Sequence, residues 1–132
     1  MFSPVVVEHS MNPRNMTPLL EPDVVGMSGV QGEGPYLSLS LRFSEGIVVE
    51  TSFATYGCPV ARACGSFVSE WVKGKTVEQA GVLTANDLML VLGGLPLGKE
   101  HCAVLAVDSL ADSLVKLVAL NSQDSTGNIS LL

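Results

Sequence analysis

The sequence predicts an α+β domain in which a small antiparallel three-stranded sheet carries helices on one face. Apolar and polar residues alternate over 37–43 and 47–53, which is typical of two half-buried strands. Apolar residues recur at helical spacing after residue 58. Strands that come before the helices in the chain favour a fold in which the sheet and the helices form separate layers. We place a single domain at residues 1–120 and expect residues 121–132 to be a mobile tail.

The N-terminal segment gives divided signals. Ser3 followed by Pro4 is a good helix start, because a serine can cap the helix and proline suits its first position. The β-branched residues 5–7 favour a strand instead. Frequent glycine and proline over 17–35 predict a loop, with a short edge strand at 24–25.

The predicted hairpin turns through Ser44, Glu45 and Gly46, a three-residue loop with glycine in the left-handed position. The return strand leads into a helix that we expect to end at Gly74, since glycine is common just after a helix. The predicted helices are 59–73, a short one that begins with the capping box Thr76–Gln79, 85–92 and 100–120.

Composition excludes several classes of function. The net charge of −6, with only 7 Lys and Arg, argues against nucleic-acid binding, which needs a basic surface. No apolar run approaches the roughly 20 residues of a membrane span, and no secretory signal is evident. Three cysteines without such a signal indicate thiols kept reduced, so we expect a cytoplasmic protein.

Two cysteines lie at predicted helix starts. Cys58 precedes Pro59 and is expected to be the N-cap, where backbone amides and the helix dipole favour a thiolate. Cys102 lies at the start of the last helix, beside His101. Together with Cys58, these two residues make a Cys₂His set suited to zinc or iron. On spacing alone, both thiols are equally compatible with a packed core. Cys64 falls on the apolar stripe of its helix, which favours a core residue. Its position less than two turns from Cys58 leaves a role as a resolving thiol open.

The remaining candidates have ordinary interpretations. His9 is expected at the surface or as a helix cap, and Asp108 and Glu33 are expected to be solvated carboxylates. The chain contains no Gly-rich phosphate-binding motif and no Ser-His-Asp order. Nucleotide binding and serine hydrolysis therefore have no support.

The chain resembles the IscU/NifU/SufU family of iron–sulfur cluster scaffold proteins from about Val5 to Leu120. Several motifs match in order and at compatible spacing. They are Glu8-His9 with Asn12-Pro13-Arg14-Asn15, Phe53 to Cys58, Glu70 to Thr76, Leu95-Pro96, and His101-Cys102 with Leu105-Ala106. The resemblance implies an N-terminal helix and a small antiparallel sheet with helices on one side.

The resemblance also implies a role. Members of this family accept sulfur from a pyridoxal-dependent cysteine desulfurase, assemble a [2Fe–2S] cluster, often take up zinc instead, and pass the cluster to apo iron–sulfur proteins. They are scaffolds and carriers rather than enzymes. By position, Cys58, His101 and Cys102 match three of the family's site residues.

Two family site residues are absent. The family's Cys-Gly-Asp aligns with Glu33, Gly34 and Pro35, so both the first cysteine and the aspartate are missing. Glu33 then becomes a candidate fourth ligand, and a carboxylate oxygen favours zinc or mononuclear iron over a cluster. The family's chaperone-docking loop Leu-Pro-Pro-Val-Lys is altered at Leu97 and Gly98, so an Hsp70-type chaperone is the partner with least support.

Three hypotheses remain open. The first is a divergent cluster-assembly scaffold or sulfur acceptor that binds iron, zinc or a [2Fe–2S] cluster through Cys58, His101 and Cys102, with Glu33 as fourth ligand. The second is a non-assembling paralogue that binds a cysteine desulfurase or an apo-target and regulates it. The third is a zinc site that only stabilises the fold.

Overall fold

The computed structural model describes residues 2–130, with side chains described through Leu120. Within residues 2–130, three strands and five helices follow one another. Their bounds are α1 Pro4–Met11, β1 Val24–Gly29, β2 Tyr36–Ser44, β3 Ile47–Tyr56, α2 Pro59–Trp71, α3 Val77–Ala80, α4 Ala85–Val91 and α5 Glu100–Ser130. None of the helices in this part of the chain is both long and apolar enough to cross a membrane.

The N-terminal segment forms helix α1, which decides the divided sequence signals in favour of helix. Ser3 is the N-cap, and its hydroxyl accepts a hydrogen bond from the Val6 amide at 3.1 Å. The same hydroxyl donates to the carbonyl of Leu92, which ties the start of α1 to the end of α4. Val6 is fully buried. Capping and burial therefore outweigh the strand propensity of the valines.

The sheet is antiparallel with the order β1-β2-β3, and β1 covers the short edge strand expected at 24–25. The β2–β3 turn differs from the prediction, because Ser44 pairs with Ile47 and leaves a loop of two residues rather than three. Glu45 and Gly46 both have positive φ, 55° and 80°. This is the turn geometry whose twist matches the flanking strands, and it explains why the tighter loop forms.

Helices α2 and α5 cover one face of the sheet, which confirms the predicted α+β class. The side chains that alternate toward this face, Leu37, Leu39 and Leu41, are buried. Glycine allows the closest approach in two places. A Cβ on Gly65 of α2 would lie 2.5 Å from the Phe53 ring, and one on Gly26 of β1 would lie 2.1 Å from the Ser109 carbonyl of α5.

The helix boundaries follow their capping signals. Helix α2 ends at Trp71, slightly earlier than predicted, and Gly74 has the expected positive φ of 83°. The predicted capping box at the start of α3 is present, and α4 stops before two glycines with positive φ. These short helices carry the chain from α2 to the start of α5.

The predicted end of the last helix is wrong. Helix α5 continues through Ser130 instead of ending near Leu120, so helical backbone occupies most of the expected tail. Residues 121–130 contain no proline, and adding a turn to an existing helix costs far less than starting one. The domain limit at residue 120 stays a prediction, and residues 131–132 lie outside the described part.

Candidate functional site

The site forms where two helices begin. Cys58 is the N-cap of α2, in extended conformation with φ −86° and ψ 172°, two residues after β3 ends. Cys102 lies in the first turn of α5, where its amide donates to the Lys99 carbonyl at 3.0 Å. The two sulfur atoms are 3.7 Å apart. The fold thus brings together two thiols that the sequence places 44 residues apart.

The two thiols differ in exposure. Cys58 is half-buried, whereas Cys102 is only 1% exposed. Cys102 is therefore both a buried residue and, with Cys58, part of the lining of a pocket. Cys58 is the thiol of this pair that presents more surface to solvent.

The two thiols also differ in acidity. Burial alone would raise the pKa of Cys58, but the Ala61 and Val60 amides, the Cys102 thiol and the Lys99 ammonium together hold it below the usual value. The Cys58 side chain makes no standard capping hydrogen bond, so we attribute the amide effect mainly to the helix N-terminal dipole. Burial and the neighbouring Cys58 raise the pKa of Cys102 to about 12. Cys58 is therefore the more acidic thiol of the pair.

His101 and Lys99 complete the polar part of the pocket. The His101 Nε2 lies 3.7 Å from the Cys102 sulfur. The pocket has a volume of about 210 Å³. Its lining residues are Pro35, Gly57, Cys58, Ala61, Lys99, His101, Cys102 and Leu105. Lys99 was not identified as a site residue from the sequence, although its position just before the His101-Cys102 pair was a usable signal.

Glu33 is not among the residues that line this pocket. It is exposed, in a turn where its amide donates to the Val30 carbonyl, between Gly32 and Gly34, which both have positive φ. Pro35 lines the pocket wall instead. The wall on this side therefore offers no polar side-chain atom. Glu33 as a ligand stays a prediction.

Cys64 packs in the core, as its place on the apolar stripe predicts. It is fully buried in α2, and burial, with smaller effects from Cys102 and Cys58, raises the pKa of its thiol to about 12. Cys64 does not line the pocket. Cys64 therefore belongs to the core, and the pocket is lined by the other two thiols.

The donor atoms are not set around a common centre. Over the residues with described side chains, no group of three or more His, Cys, Asp or Glu is placed to hold a metal ion. The Cys102 sulfur is 3.7 Å from the Cys58 sulfur and 3.7 Å from the His101 ring nitrogen. The donor types suit zinc or iron, but binding needs rotation of these side chains.

The surface or cap position expected for His9 is wrong, because its side chain is 7% exposed. Its Nδ1 lies 2.8 Å from the Ser66 hydroxyl, which also accepts a hydrogen bond from the Arg14 amide at 2.9 Å. The ring makes an edge contact with Phe67 at 5.6 Å. His9 thus joins α1 to α2, a role for which the sequence alone gave no signal. Asp108 is exposed, as predicted.

These features define a small α+β domain with a paired-thiol pocket between two helix starts. The NifU-like N terminal domain family matches residues 1–123, and the chain belongs to this family. The resemblance identified in the sequence is thereby confirmed.

Individual relatives agree with this assignment. The iron–sulfur cluster assembly scaffold protein IscU 1 of Archaeoglobus fulgidus is 34% identical over 93% of this chain and 80% of its own length. The protein named iron–sulfur cluster assembly scaffold protein IscU in Escherichia coli K12 is 37% identical over 83% of this chain and 88% of its own length.

Solved structures match at the level of the fold. A putative iron–sulfur cluster assembly scaffold protein for the SUF system from Fervidobacterium islandicum superposes with a TM-score of 0.68 at 20% identity, covering 86% of this chain and 96% of that one. A NifU-like protein (N-terminal) from Brucella abortus gives 0.67 at 20% identity, covering 89% and 94%.

Proposed function

We propose that this protein is a divergent iron–sulfur cluster assembly scaffold that accepts sulfur and iron in its paired-thiol pocket. Family membership and the names of its relatives support the scaffold role. The observation that carries the proposal to this chain is the 3.7 Å approach of Cys58 to Cys102 in a pocket that His101 and Lys99 also line. The protein acts as a carrier rather than an enzyme.

Cys58, Cys102 and His101 are the proposed ligands. Thiolate and imidazole are the donors that iron, zinc and iron–sulfur clusters prefer. A [2Fe–2S] cluster takes four protein ligands, so one position is left for Glu33 or for an external group. Zinc accepts the same donors and is expected as a substitute for iron.

The proposed partners are a cysteine desulfurase as sulfur donor and apo iron–sulfur proteins as cluster acceptors, in the cytoplasm. Lys99 gives the pocket a positive charge, which suits an anionic sulfur species. An Hsp70-type chaperone stays the least supported partner. The altered loop exposes Leu97 almost completely, at 98%, and Gly98 follows it with a positive φ.

Anaerobic reconstitution tests the proposal. Protein incubated with ferrous iron and sulfide should show visible absorption of a cluster, with iron and acid-labile sulfide bound in similar amounts. The Cys58→Ser and Cys102→Ser variants should lose that absorption, because each removes a thiolate ligand. Cys64→Ala is the matched control and should retain it, because Cys64 lies outside the pocket. Wild-type protein that binds neither cluster nor metal would refute the proposal.

The part played by Glu33 has its own pair of variants. Glu33→Ala should lower metal retention if the carboxylate is the fourth ligand, and leave it unchanged if an external group takes that place. Glu33→Cys returns a thiol to the position of the family's first cysteine and should increase cluster yield and lifetime. The two flanking glycines with positive φ give this loop backbone freedom that other residues lack.

A regulatory role without assembly is a second candidate, favoured by Pro35 in the pocket wall and by the position of Glu33 outside it. In that case Cys58→Ser and Cys102→Ser would bind a cysteine desulfurase as tightly as wild type, and no variant would carry a cluster.

A zinc site that only stabilises the fold makes a different prediction. Chelation would then lower the melting temperature without any effect on sulfur transfer.

A further inference from the structure

We propose that Cys58 and Cys102 form a sulfide-releasing pair, in which Cys58 accepts a sulfur atom and Cys102 displaces it as hydrogen sulfide. The product on the protein is a Cys58–Cys102 disulfide. This inference rests on the sulfur-accepting part of the proposed function and adds the fate of the sulfur. The pair therefore converts bound sulfane sulfur into free sulfide without an external reductant in the releasing step.

The geometry of the two sulfur atoms carries the inference. Their separation of 3.7 Å is close to van der Waals contact, and a disulfide needs about 2.05 Å. Cys58 is the N-cap of α2 and Cys102 lies in the first turn of α5, so both thiols belong to helix starts. Cys64 does not line the pocket, so its thiol is not positioned to compete.

Exposure assigns the two roles. A persulfide carried by a protein or a small molecule must reach the receiving thiol from solvent, and Cys58 is half-exposed while Cys102 is 1% exposed. Sulfur is therefore received on Cys58. The Cys102 sulfur lies 3.7 Å from the Cys58 sulfur. In a persulfide on Cys58 this sulfur is the inner one, which is the atom that a resolving thiol must attack.

The two steps balance. In the first, the donor R–S–SH transfers its outer sulfur to the Cys58 thiol, giving R–SH and a persulfide on Cys58. In the second, the Cys102 sulfur bonds to the Cys58 sulfur, the bond from Cys58 to the outer sulfur breaks, and that sulfur leaves as H₂S with the proton of Cys102. The two cysteine sulfurs are oxidised to the disulfide while the outer sulfur is reduced to sulfide.

Among the described residues, the pocket is lined by no thiol other than Cys58 and Cys102. Glu33 and Pro35 stand at the positions that align with the family's first cysteine and aspartate. Pro35 lines the pocket and Glu33 does not, so Cys102 is the thiol placed to react with a persulfide on Cys58. After one sulfide has been released, both thiols of the pair are held in the disulfide and neither can react again. Renewed activity then requires a thiol reductant, which makes release stoichiometric in its absence.

Metal-free protein treated anaerobically with one equivalent of glutathione persulfide tests the inference. Wild type should release sulfide in proportion to protein, lose two titratable thiols and give a Cys58–Cys102 disulfide by peptide mapping. Cys102→Ser should keep one added sulfur on Cys58 and lose the release. Cys58→Ser should lose both, whereas Cys64→Ala should behave as wild type.

A stable persulfide on wild-type Cys58, or equal sulfide release from wild type and Cys102→Ser, would overturn the inference. The peptide map of the wild-type protein decides the matter even if a variant fails to fold. The outcome is separable from the reconstitution experiment. Sulfide release without cluster assembly would support the sulfide-releasing pair and refute the scaffold role. Cluster assembly together with a lasting persulfide on Cys58 would support the scaffold role and refute the sulfide-releasing pair.

Discussion

Cys58 and Cys64 lie less than two turns apart on helix α2, yet the fold gives them opposite chemistry. Cys58 is half-exposed at the N-cap, with a second sulfur 3.7 Å away and a lysine nearby. Cys64 is fully buried in the same helix, one residue before the glycine that lets α2 approach the sheet. The same side chain is a ligand candidate at one position and a small apolar residue at the other.

The difference shows that the position of a thiol in the fold, more than the residue type, decides its reactivity. At the N-cap, the Ala61 and Val60 amides offset the burial that would otherwise raise the pKa of Cys58. In the middle of the helix those amides are occupied by hydrogen bonds of the helix itself, and burial raises the pKa of Cys64 to about 12.

Thiol reactivity should separate the two residues most widely. Iodoacetamide should modify Cys58 at least about a hundredfold faster than Cys64, because a buried thiol reacts only when the structure opens. The rate at Cys58 should reach half its maximum below pH 9.0, the value that an unperturbed thiol would give. Mass spectrometry of quenched time points measures both rates. Equal rates at the two sites, in protein that remains folded, would contradict the comparison.

Replacement by serine should lower the free energy of unfolding much more at Cys64 than at Cys58. Cys64→Ser places a hydroxyl in the core and should cost about 1–3 kcal/mol of unfolding free energy, whereas Cys58→Ser should change it by less than about 0.5 kcal/mol. Urea unfolding followed by circular dichroism measures both. Cys64→Ala controls for volume, and a loss as large as that of Cys64→Ser would show that packing rather than polarity sets the cost.

Most of the fold was predictable because its signals are local. The alternation over 37–43 and the capping box at Thr76 each report on a few neighbouring residues, and both predictions held. Gly74 has the predicted positive φ, although α2 ends three residues before it. The errors arose where local signals are weak. Two-residue and three-residue turns both accept Glu45-Gly46, and no breaker marks the point at which α5 was expected to end.

The site was predictable in its members more than in its arrangement. Helix starts identified Cys58 and Cys102, but their contact depends on how α2 and α5 pack on the sheet, which is not encoded locally. Lys99 and Pro35 enter the pocket through loop conformation alone. His9 was misplaced for the same reason, since its burial comes from the contact of α1 with α2.

His9 provides the smallest test, at a polar contact in the buried middle of α2. Burial, reinforced by Arg14, holds the pKa of His9 below its usual 6.5, although Glu70 and Glu8 oppose the shift. Between the lowered pKa and 6.5, the unfolded chain binds more protons than the folded one, so the unfolding free energy should fall as the pH drops below 6.5.

His9 Nδ1 lies 2.8 Å from the Ser66 hydroxyl, and in the protonated ring this nitrogen can only donate. His9→Asn can keep an acceptor near this hydroxyl and removes the titrating group. The unfolding free energy of this variant should therefore vary less with pH than that of wild type. The comparison spans pH 5.5 to 7.5, which is about one pH unit on either side of the usual histidine pKa. Urea unfolding at both pH values measures the change. An identical pH dependence in wild type and His9→Asn would show that other groups govern the acid sensitivity of the fold.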